Sequence, residues 1–220
     1  MVLKKLLSEV GKTAVRRVLL LSFRGNRKRI SKEALTLMGI PIQYQGLTWN
    51  NYQFPSEALA KVLKGYTEHC DEMFEDNINL LLTGNNGVGK TYVSSIVLQY
   101  CYERYYSTRM ITFKDLISKS FNGDDTSEYW STEFLVIDEL GAEVSLKSNA
   151  EKSLIEELLK YRFAKGLPTI ICSNLDKATL KTRYGNTLYS MLSEFVCIEI
   201  KGTDGRQEAF RKKRALDFLR

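Results

Sequence analysis

Residues 84–91 read Gly84-Asn85-Asn86-Gly87-Val88-Gly89-Lys90-Thr91, a full match to the phosphate-binding pattern G-x-x-x-x-G-K-[ST]. The three glycines let the backbone curl so that successive N–H groups point at a triphosphate. Lys90 is placed to reach the β- and γ-phosphates, and the hydroxyl of Thr91 is placed to hold Mg²⁺. The loop therefore predicts a binding site for a nucleoside triphosphate and its magnesium ion.

An apolar run and a helical pattern flank this loop. Residues 78–83 are predicted to form a buried strand, and residues 92–107 a helix whose N-terminus adds partial positive charge to the phosphate cradle. The alternative is a glycine-rich turn between strand and helix that holds no ligand. Because strand and helix both occupy the places that a phosphate loop requires, the nucleotide site is the favoured interpretation.

The charge of the chain is unevenly distributed. The net charge is +6, yet residues 1–32 carry +9 and residues 206–220 carry +4, which leaves −7 for residues 33–205. The sequence thus predicts a mildly acidic body between two basic arms. Such arms usually meet phosphate backbones or the acidic surface of a partner, and a solvated helix face is the alternative.

The first arm has the pattern of an amphipathic helix. Within residues 1–22, apolar residues recur at spacings of three and four, and lysines and arginines occupy the other face. Gly39 and Pro41 interrupt the helical pattern that follows. We therefore predict a basic helical N-terminal extension of residues 1–40 and a domain of residues 41–220 that ends in a basic C-terminal helix. The extension could lie on a membrane, dock on a partner or pack on its own domain, and partner docking is favoured.

The cysteine content and hydropathy point to the cytoplasm. The four cysteines contain no C-x-x-C pair, so neither a disulfide framework nor a zinc site is predicted. No apolar run approaches the roughly 18 residues of a membrane span, and we expect no membrane partner. The cytoplasm is the expected location.

Apolar runs alternate with helical patterns downstream of the loop. This alternation predicts an α/β fold with a parallel five-stranded sheet flanked by helices. Ligands of such sheets bind at the carboxyl ends of the strands. The predicted strands after the loop are residues 110–113, 134–139, 168–174 and 196–200. The predicted helices are residues 114–121, 148–165, 176–183 and 186–194, with a last one from about residue 207.

Polar side chains end two of these strands. Asp138 and Glu139 follow an apolar run about 50 residues after the loop, and Asn174 ends the next strand along the chain. Asp138 is predicted to bind hydrated Mg²⁺, and Glu139 to orient or deprotonate the water that attacks the γ-phosphate. The amide of Asn174 is predicted to contact the γ-phosphate or the same water, with an ordinary turn residue as the alternative.

The motifs at these strand ends resemble one known family. Asp-Glu-Leu-Gly-Ala-Glu at residues 138–143, Gly-Leu-Pro-Thr-Ile-Ile-Cys-Ser-Asn-Leu at residues 166–175 and Arg-Tyr-Gly at residues 183–185 look like the AAA+ ATPases of the DnaC/DnaI/IstB group. The similarity covers roughly residues 40–206. This group contains loaders of the replicative helicase and helper ATPases of certain transposons.

The resemblance implies a P-loop AAA+ (ASCE) fold with ATP and Mg²⁺ as cofactors. It also implies an ATPase that self-associates into a spiral or ring and grips single-stranded DNA. By the same analogy, the N-terminal extension holds the replicative DNA helicase.

Two further positions follow from the resemblance. Arg206 matches the family's second sensor position near the γ-phosphate, and a basic residue that opens a tail helix is the alternative. The family usually places an arginine that reaches the neighbouring subunit's γ-phosphate where this chain has Met191. Because a methionine cannot stabilise transition-state charge, either Arg183 or another basic residue substitutes, or hydrolysis by the protein alone is slow.

The resemblance also suggests a DNA-binding channel. It places the segment after the second strand and the loop after the acidic pair near DNA. In single-strand binding, bases stack on aromatic rings while phosphates pair with ammonium groups. A core position for the aromatic residue and solvated lysines are the alternative. The residues concerned are Lys114, Lys119, Phe121 and Lys147.

Three functions remain open at this point. A helicase loader with weak ATPase activity is favoured by the basic arm and the small size of the chain. A transposition helper of the IstB type shares the ATPase core but would target double-stranded DNA and a transposase. A nucleotide-gated DNA-binding adaptor with little hydrolysis is the third, and Met191 supports it.

Overall fold

The structure is a computed structural model that describes residues 30–142 and 149–202. Several sequence predictions lie outside these ranges. They are the helix within residues 1–22, Lys147, Arg206 and the C-terminal helix from about residue 207.

A five-stranded parallel sheet forms the centre of the domain, as predicted. Its strand order is β2-β3-β4-β1-β5, so β1 lies between β4 and β5 while β4 separates β1 from β3. Because all pairs are parallel, every strand ends at the same edge of the sheet. The strands are β1 Leu80–Thr83, β2 Thr108–Thr112, β3 Phe134–Leu140, β4 Thr169–Ser173 and β5 Val196–Glu199.

Helices connect the strands and cover the sheet. Two short 3₁₀ turns, Ile42–Tyr44 and Trp49–Asn51, lie in the lead-in segment before the first long helix. Among the described residues, the first five α-helices are α1 Lys32–Leu37, α2 Glu57–Glu68, α3 Cys70–Glu75, α4 Lys90–Glu103 and α5 Phe113–Asn122. They are followed by α6 Ser127–Ser131, α7 Asn149–Ala164, α8 Lys177–Tyr184 and α9 Asn186–Leu192.

The helix after the phosphate loop is shifted from its predicted range of 92–107. It begins at Lys90 because Gly89, at φ 100°, turns the chain directly into the helix. It ends at Glu103 because Tyr105 takes a left-handed conformation with φ 64°. The amide of Tyr106 then donates to the Cys101 carbonyl at 3.2 Å, the hydrogen bond of a Schellman cap.

Successive side chains of a strand point to opposite faces of the sheet, and each face packs into its own hydrophobic core. In β1, Leu80 and Leu82 belong to one core while Leu81 belongs to the other. Helices α2 and α4 supply the first core, and helices α5, α7, α8 and α9 supply the second. The domain therefore has helix, sheet and helix layers.

The segment around α1 packs onto the first core. Leu35, Met38 and Ile40 are buried there, and the amide of Met110 in β2 donates to the Met38 carbonyl at 2.7 Å. A side chain on Gly39 would collide with the Met110 carbonyl oxygen. The division at residue 40 stays a prediction, and the last residues of that proposed extension lie on the sheet.

A fully buried arginine ties the amino ends of two central strands together. The guanidinium of Arg162 in α7 donates to the Thr132 and Pro168 carbonyls and to Thr169 Oγ1, each at 2.8 Å. Burial lowers the pKa of Arg162 to about 9, which still leaves it cationic at neutral pH. These bonds fix the positions at which β3 and β4 enter the sheet.

None of the helices within residues 30–142 and 149–202 is both long enough and apolar enough to cross a membrane.

Candidate nucleotide-binding site

The phosphate loop takes backbone conformations that favour glycine. Gly84, Gly87 and Gly89 have φ angles of 142°, 80° and 100°. A Cβ atom on Gly84 would collide with the carbonyl oxygen of Ile200, just after β5, so the loop leaves β1 in close contact with its neighbour. The apolar side chain of Val88 is buried in the first core and anchors the loop from within. Residues 84–89 therefore form the predicted loop between β1 and α4, and Lys90 and Thr91 begin the helix.

Lys90 closes over this loop. Its ammonium donates to the Gly84 carbonyl at 2.6 Å and to the Asn85 carbonyl at 2.8 Å. Both acceptors belong to the loop itself, so the positive charge lies where the loop curls around its centre. The arrangement provides the cation that a bound triphosphate requires.

Thr91 and Asp138 meet at the carboxyl edge of the sheet. The Thr91 hydroxyl donates to Asp138 Oδ2 at 2.7 Å, across the strand β4 that separates their two elements. The backbone amide of Glu139 donates to Asp138 Oδ1 at 2.9 Å. A hydroxyl beside a carboxylate matches the oxygen ligands that Mg²⁺ prefers, so this pair suits the predicted metal position.

Burial raises the pKa of the Asp138 carboxyl above its ordinary value. Hydrogen bonds from Thr91 and from the Glu139 amide oppose this effect, as does the thiol of Cys172 on β4. Sequence reasoning missed Cys172, because an apolar run gives no sign of which residue will lie beside a carboxylate on the next strand.

Glu139 is the second-last residue of β3 and Asn174 directly follows the neighbouring strand β4, and both are exposed. Glu139 is exposed in a strand whose other residues are buried, and it has a left-handed φ of 58°. Since β3 and β4 pair directly, the two predicted catalytic side chains leave the sheet at adjacent strand ends. The predicted carboxylate and amide are thus brought to one edge of the sheet, next to Asp138.

Aromatic side chains of the lead-in segment cover the loop. A Cβ atom on Gly89 would lie 3.0 Å from Cε2 of Tyr52, whose ring centroid is 5.2 Å from that of Tyr92 in α4. Tyr44 contacts the same Tyr92 ring edge-on, with centroids 5.9 Å apart. Burial raises the pKa of Tyr52 to about 12, so the phenol stays protonated. Sequence reasoning did not assign these tyrosines to the site, although their clustering in residues 40–54 was a usable signal.

The predicted DNA residues divide between two surfaces. Lys114 and Phe121 are exposed on α5 and are seven residues apart, which places them on one face of the helix. Phe121 is 56% exposed, so its alternative as a core residue is wrong. Lys119 is half-buried and lines a cavity of about 430 Å³ together with Asp138. The structure therefore separates Lys119 from the face that Lys114 and Phe121 share.

Met191 does not point outward. Its side chain is 9% exposed and packs in the second core, whereas Arg183, in the last turn of α8, is half-buried. A buried methionine cannot reach another subunit. Both the residue type and its burial therefore prevent position 191 from supplying the arginine that the family usually places there.

The strand order, the phosphate loop after β1 and the acidic pair at the end of β3 define an ATP-binding domain of the AAA+ class. The family described as IstB-like ATP binding protein matches residues 18–212, and the chain belongs to this family. The predicted relationship to the DnaC/DnaI/IstB group and the predicted AAA+ fold are both confirmed.

Individual relatives carry names from DNA replication. The chain is 26% identical over 172 residues to the replicative helicase loader DnaC of Buchnera aphidicola subsp. Acyrthosiphon pisum, covering 74% of this chain and 69% of that protein. A crystal structure of the DnaC helicase loader matches with a TM-score of 0.64 and 24% identity, covering 73% of this chain and all of that one. A structure of the replication initiator DnaA bound to AMPPCP and single-stranded DNA matches with a TM-score of 0.61 and 17% identity, covering 82% of this chain and 60% of that one.

We expect Gly84→Ala to weaken nucleotide binding by about tenfold or more, which corresponds to about 1.4 kcal/mol. The new methyl group meets the Ile200 carbonyl, and alanine is strained at a φ of 142°. Calorimetric titration with ATP measures the effect. The matched control is Gly65→Ala in α2, where nothing lies within 4 Å of the added methyl group. Unchanged affinity in a folded Gly84→Ala protein would contradict the proposed loop geometry.

Proposed function

We propose that this protein is an ATP-dependent loader of a replicative DNA helicase. The similarity to a DnaC helicase loader over 172 residues carries the proposal. The arrangement of Lys90, Thr91 and Asp138 at one edge of the sheet supports it, because this edge has the groups needed for ATP with Mg²⁺. Single-stranded DNA and a spiral or ring of identical subunits complete the proposed assembly, which works in the cytoplasm.

The site's own residues divide the work of binding and hydrolysis. Lys90 exchanges its two loop carbonyls for phosphate oxygens when ATP binds. Asp138 and Thr91 would hold Mg²⁺, which neutralises the charge that develops on the phosphates. Glu139 orients the attacking water and takes its proton, and Asn174 holds that water or the γ-phosphate. Arg206 is proposed as the second sensor of the γ-phosphate.

The basic N-terminal arm is the proposed helicase-binding part. The +9 charge of residues 1–32 contrasts with the −7 of residues 33–205, and this contrast suits an arm that binds another protein. Residues 35, 38 and 40 are buried in the first core, so the separable part of the arm ends before α1. Deletion of residues 1–29 therefore removes most of the basic arm and leaves these buried residues in the chain.

We expect the full chain to co-purify with the replicative helicase of its host in ATP, and the variant that lacks residues 1–29 to lose this complex. Co-purification in ATP and in ADP measures both effects. Unchanged ATP affinity and circular dichroism of the truncated protein serve as the control. Retention of the complex by the truncated protein would assign the contact to the domain instead of the arm.

A transposition helper is the second candidate, because the matching family is described as IstB-like. It predicts no helicase complex in any nucleotide, together with binding to a transposase and to double-stranded DNA. The same purification experiment, repeated with the transposase, distinguishes the two functions.

Slow hydrolysis by the isolated protein is part of the proposal. Met191 is buried where the family usually places its arginine, so transition-state charge lacks that partner. We expect a turnover number below about 0.1 s⁻¹, under the lower end of typical enzyme values near about 1 s⁻¹. Glu139→Gln should lower single-turnover hydrolysis by about 100-fold with ATP affinity kept, because it removes a general base.

The control for this substitution is Glu75→Gln, an exposed carboxylate at the end of α3. It is next to Phe74, which packs against Phe134 at the start of β3, away from Glu139. Rapid hydrolysis that survives Arg183→Ala would contradict the weak-ATPase proposal.

Single-stranded DNA is proposed to bind the α5 face that carries Lys114 and Phe121. The double variant Lys114→Ala/Phe121→Ala should lose about fivefold or more in affinity for an oligonucleotide, since one base stack contributes about 1–3 kcal/mol. Fluorescence anisotropy measures the loss. The matched control is Tyr161→Ala/Lys165→Ala, another lysine and exposed ring, at the amino-terminal edge of the sheet. Equal losses in both double variants would remove α5 from the DNA site.

A further inference from the structure

The end of β3 carries a bulge at the two predicted catalytic acids. Ile137 pairs with Ile171 and Leu140 pairs with Ser173, so two residues of β3 face a single residue of β4. The extra residue lets Glu139 leave the sheet plane at a φ of 58°. Regular pairing would have kept this strand in an uninterrupted alternation of side chains, so the bulge determines the direction of Glu139.

The side chain of Ser173 connects the two strand ends at this bulge. Its hydroxyl donates to the Leu140 carbonyl at 2.6 Å and accepts from the Leu175 amide at 3.0 Å. Leu140 is the residue after Glu139, and Leu175 is the residue after Asn174. Ser173 is fully buried, so water does not compete for either hydrogen bond.

A close contact between Gly141 and Leu175 reinforces this connection. Gly141 has a φ of 96°, and a Cβ atom built on it would lie 2.5 Å from Cδ1 of Leu175. The amide of Ala142 donates to the Glu139 carbonyl at 3.0 Å and closes the turn around Glu139. Leu175 thus packs against the turn that holds Glu139, while its amide bonds to Ser173.

We propose that Ser173 is a positioning residue that fixes Glu139 and Asn174 relative to each other. Its hydroxyl is bonded to the backbone of Leu140, which follows Glu139, and of Leu175, which follows Asn174. A shift of one strand end is therefore transmitted to the other. The carboxylate that orients the water and the amide that holds the water or phosphate then keep one mutual geometry. The functional part of this inference rests on the proposed ATP hydrolysis. Its structural part rests on the hydrogen bonds alone.

A purely stabilising hydroxyl would have a different signature. Its removal would lower the free energy of unfolding and leave both the turnover number and the ATP dissociation constant of the folded protein unchanged. A positioning role instead predicts unchanged ATP binding, because Lys90, Thr91 and Asp138 keep their contacts, together with slower chemistry. A lower turnover number at an unchanged ATP dissociation constant therefore distinguishes the positioning role from the stabilising one.

The test is Ser173→Ala, which removes both the donor and the acceptor at this position. We expect the turnover number for ATP to fall at least about tenfold while the ATP dissociation constant stays within about threefold. Hydrogen exchange should quicken at residues 138–142 and 173–176 and stay unchanged in α2 and α4. Gly141→Ala, which disturbs the same turn through the Leu175 contact, should reproduce the separation of turnover from binding.

The matched control is Thr67→Val. Thr67 is also fully buried, and its hydroxyl also both accepts and donates. It accepts from Trp49 Nε1 at 3.0 Å and donates to the Lys64 carbonyl at 2.8 Å and the Leu63 carbonyl at 3.5 Å. It lies in α2, and Thr67→Val should lower stability without changing turnover.

The outcomes separate this inference from the proposed function. A folded Ser173→Ala protein with a turnover number within twofold of the natural chain overturns the positioning role. If the natural chain hydrolyses no ATP with DNA and helicase present, the proposed ATPase activity fails. The exchange measurement then decides the role of Ser173: unchanged exchange at residues 138–142 overturns it, and faster exchange confined to the two segments supports it.

Discussion

The hydrogen bond from Thr91 to Asp138 joins two elements that β4 separates in the sheet. Thr91 lies in the first turn of the helix that follows β1, and Asp138 lies near the end of β3, yet their oxygens are 2.7 Å apart. Parallel pairing brings all strand ends to one edge, so the loop after β1 and the acids after β3 share a surface even though they do not share a strand pair. The other groups of the proposed ATPase site, including Lys90, Glu139 and Asn174, take their positions from this one alignment.

Different hydrogen bonds connect β3 and β4 at the two edges of the sheet. At the amino edge, Arg162 donates its guanidinium hydrogens to backbone carbonyls and fixes where β3 and β4 begin. At the carboxyl edge, Ser173 connects the two strands with a single hydroxyl next to a bulge. The bulge lies at this carboxyl edge, where Glu139 is exposed on an otherwise buried strand.

The segment between the basic arm and the ATP site is packed rather than loose. Met38 and Ile40 are buried in the first core, and Gly39 lies directly against Met110 of β2. The cavity lined by Gly39 is also lined by Lys119 and Asp138. Gly39, at the end of the proposed extension, and Asp138, the proposed magnesium ligand, therefore line one cavity.

Local patterns were sufficient for the phosphate loop and the five strands of this domain. Glycine spacing predicted the phosphate loop, and apolar runs predicted each strand to within two residues at either end. The strand order needed tertiary structure, since hydrophobicity is the same whichever neighbour a buried strand takes. The helix after the loop was displaced because glycine and left-handed tyrosine conformations, which depend on surrounding contacts, set its ends.

The sequence by itself determined which chemistry the chain carries: a phosphate loop, two acids and an amide at strand ends, and basic arms. Only the tertiary structure decided how those groups face one another. The bulge that turns Glu139 outward and the Ser173 hydroxyl that bonds to the Leu140 carbonyl both come from contacts between segments distant in sequence. Residue type fixes what a side chain can do, whereas its direction and partners are set by the packing of the whole sheet.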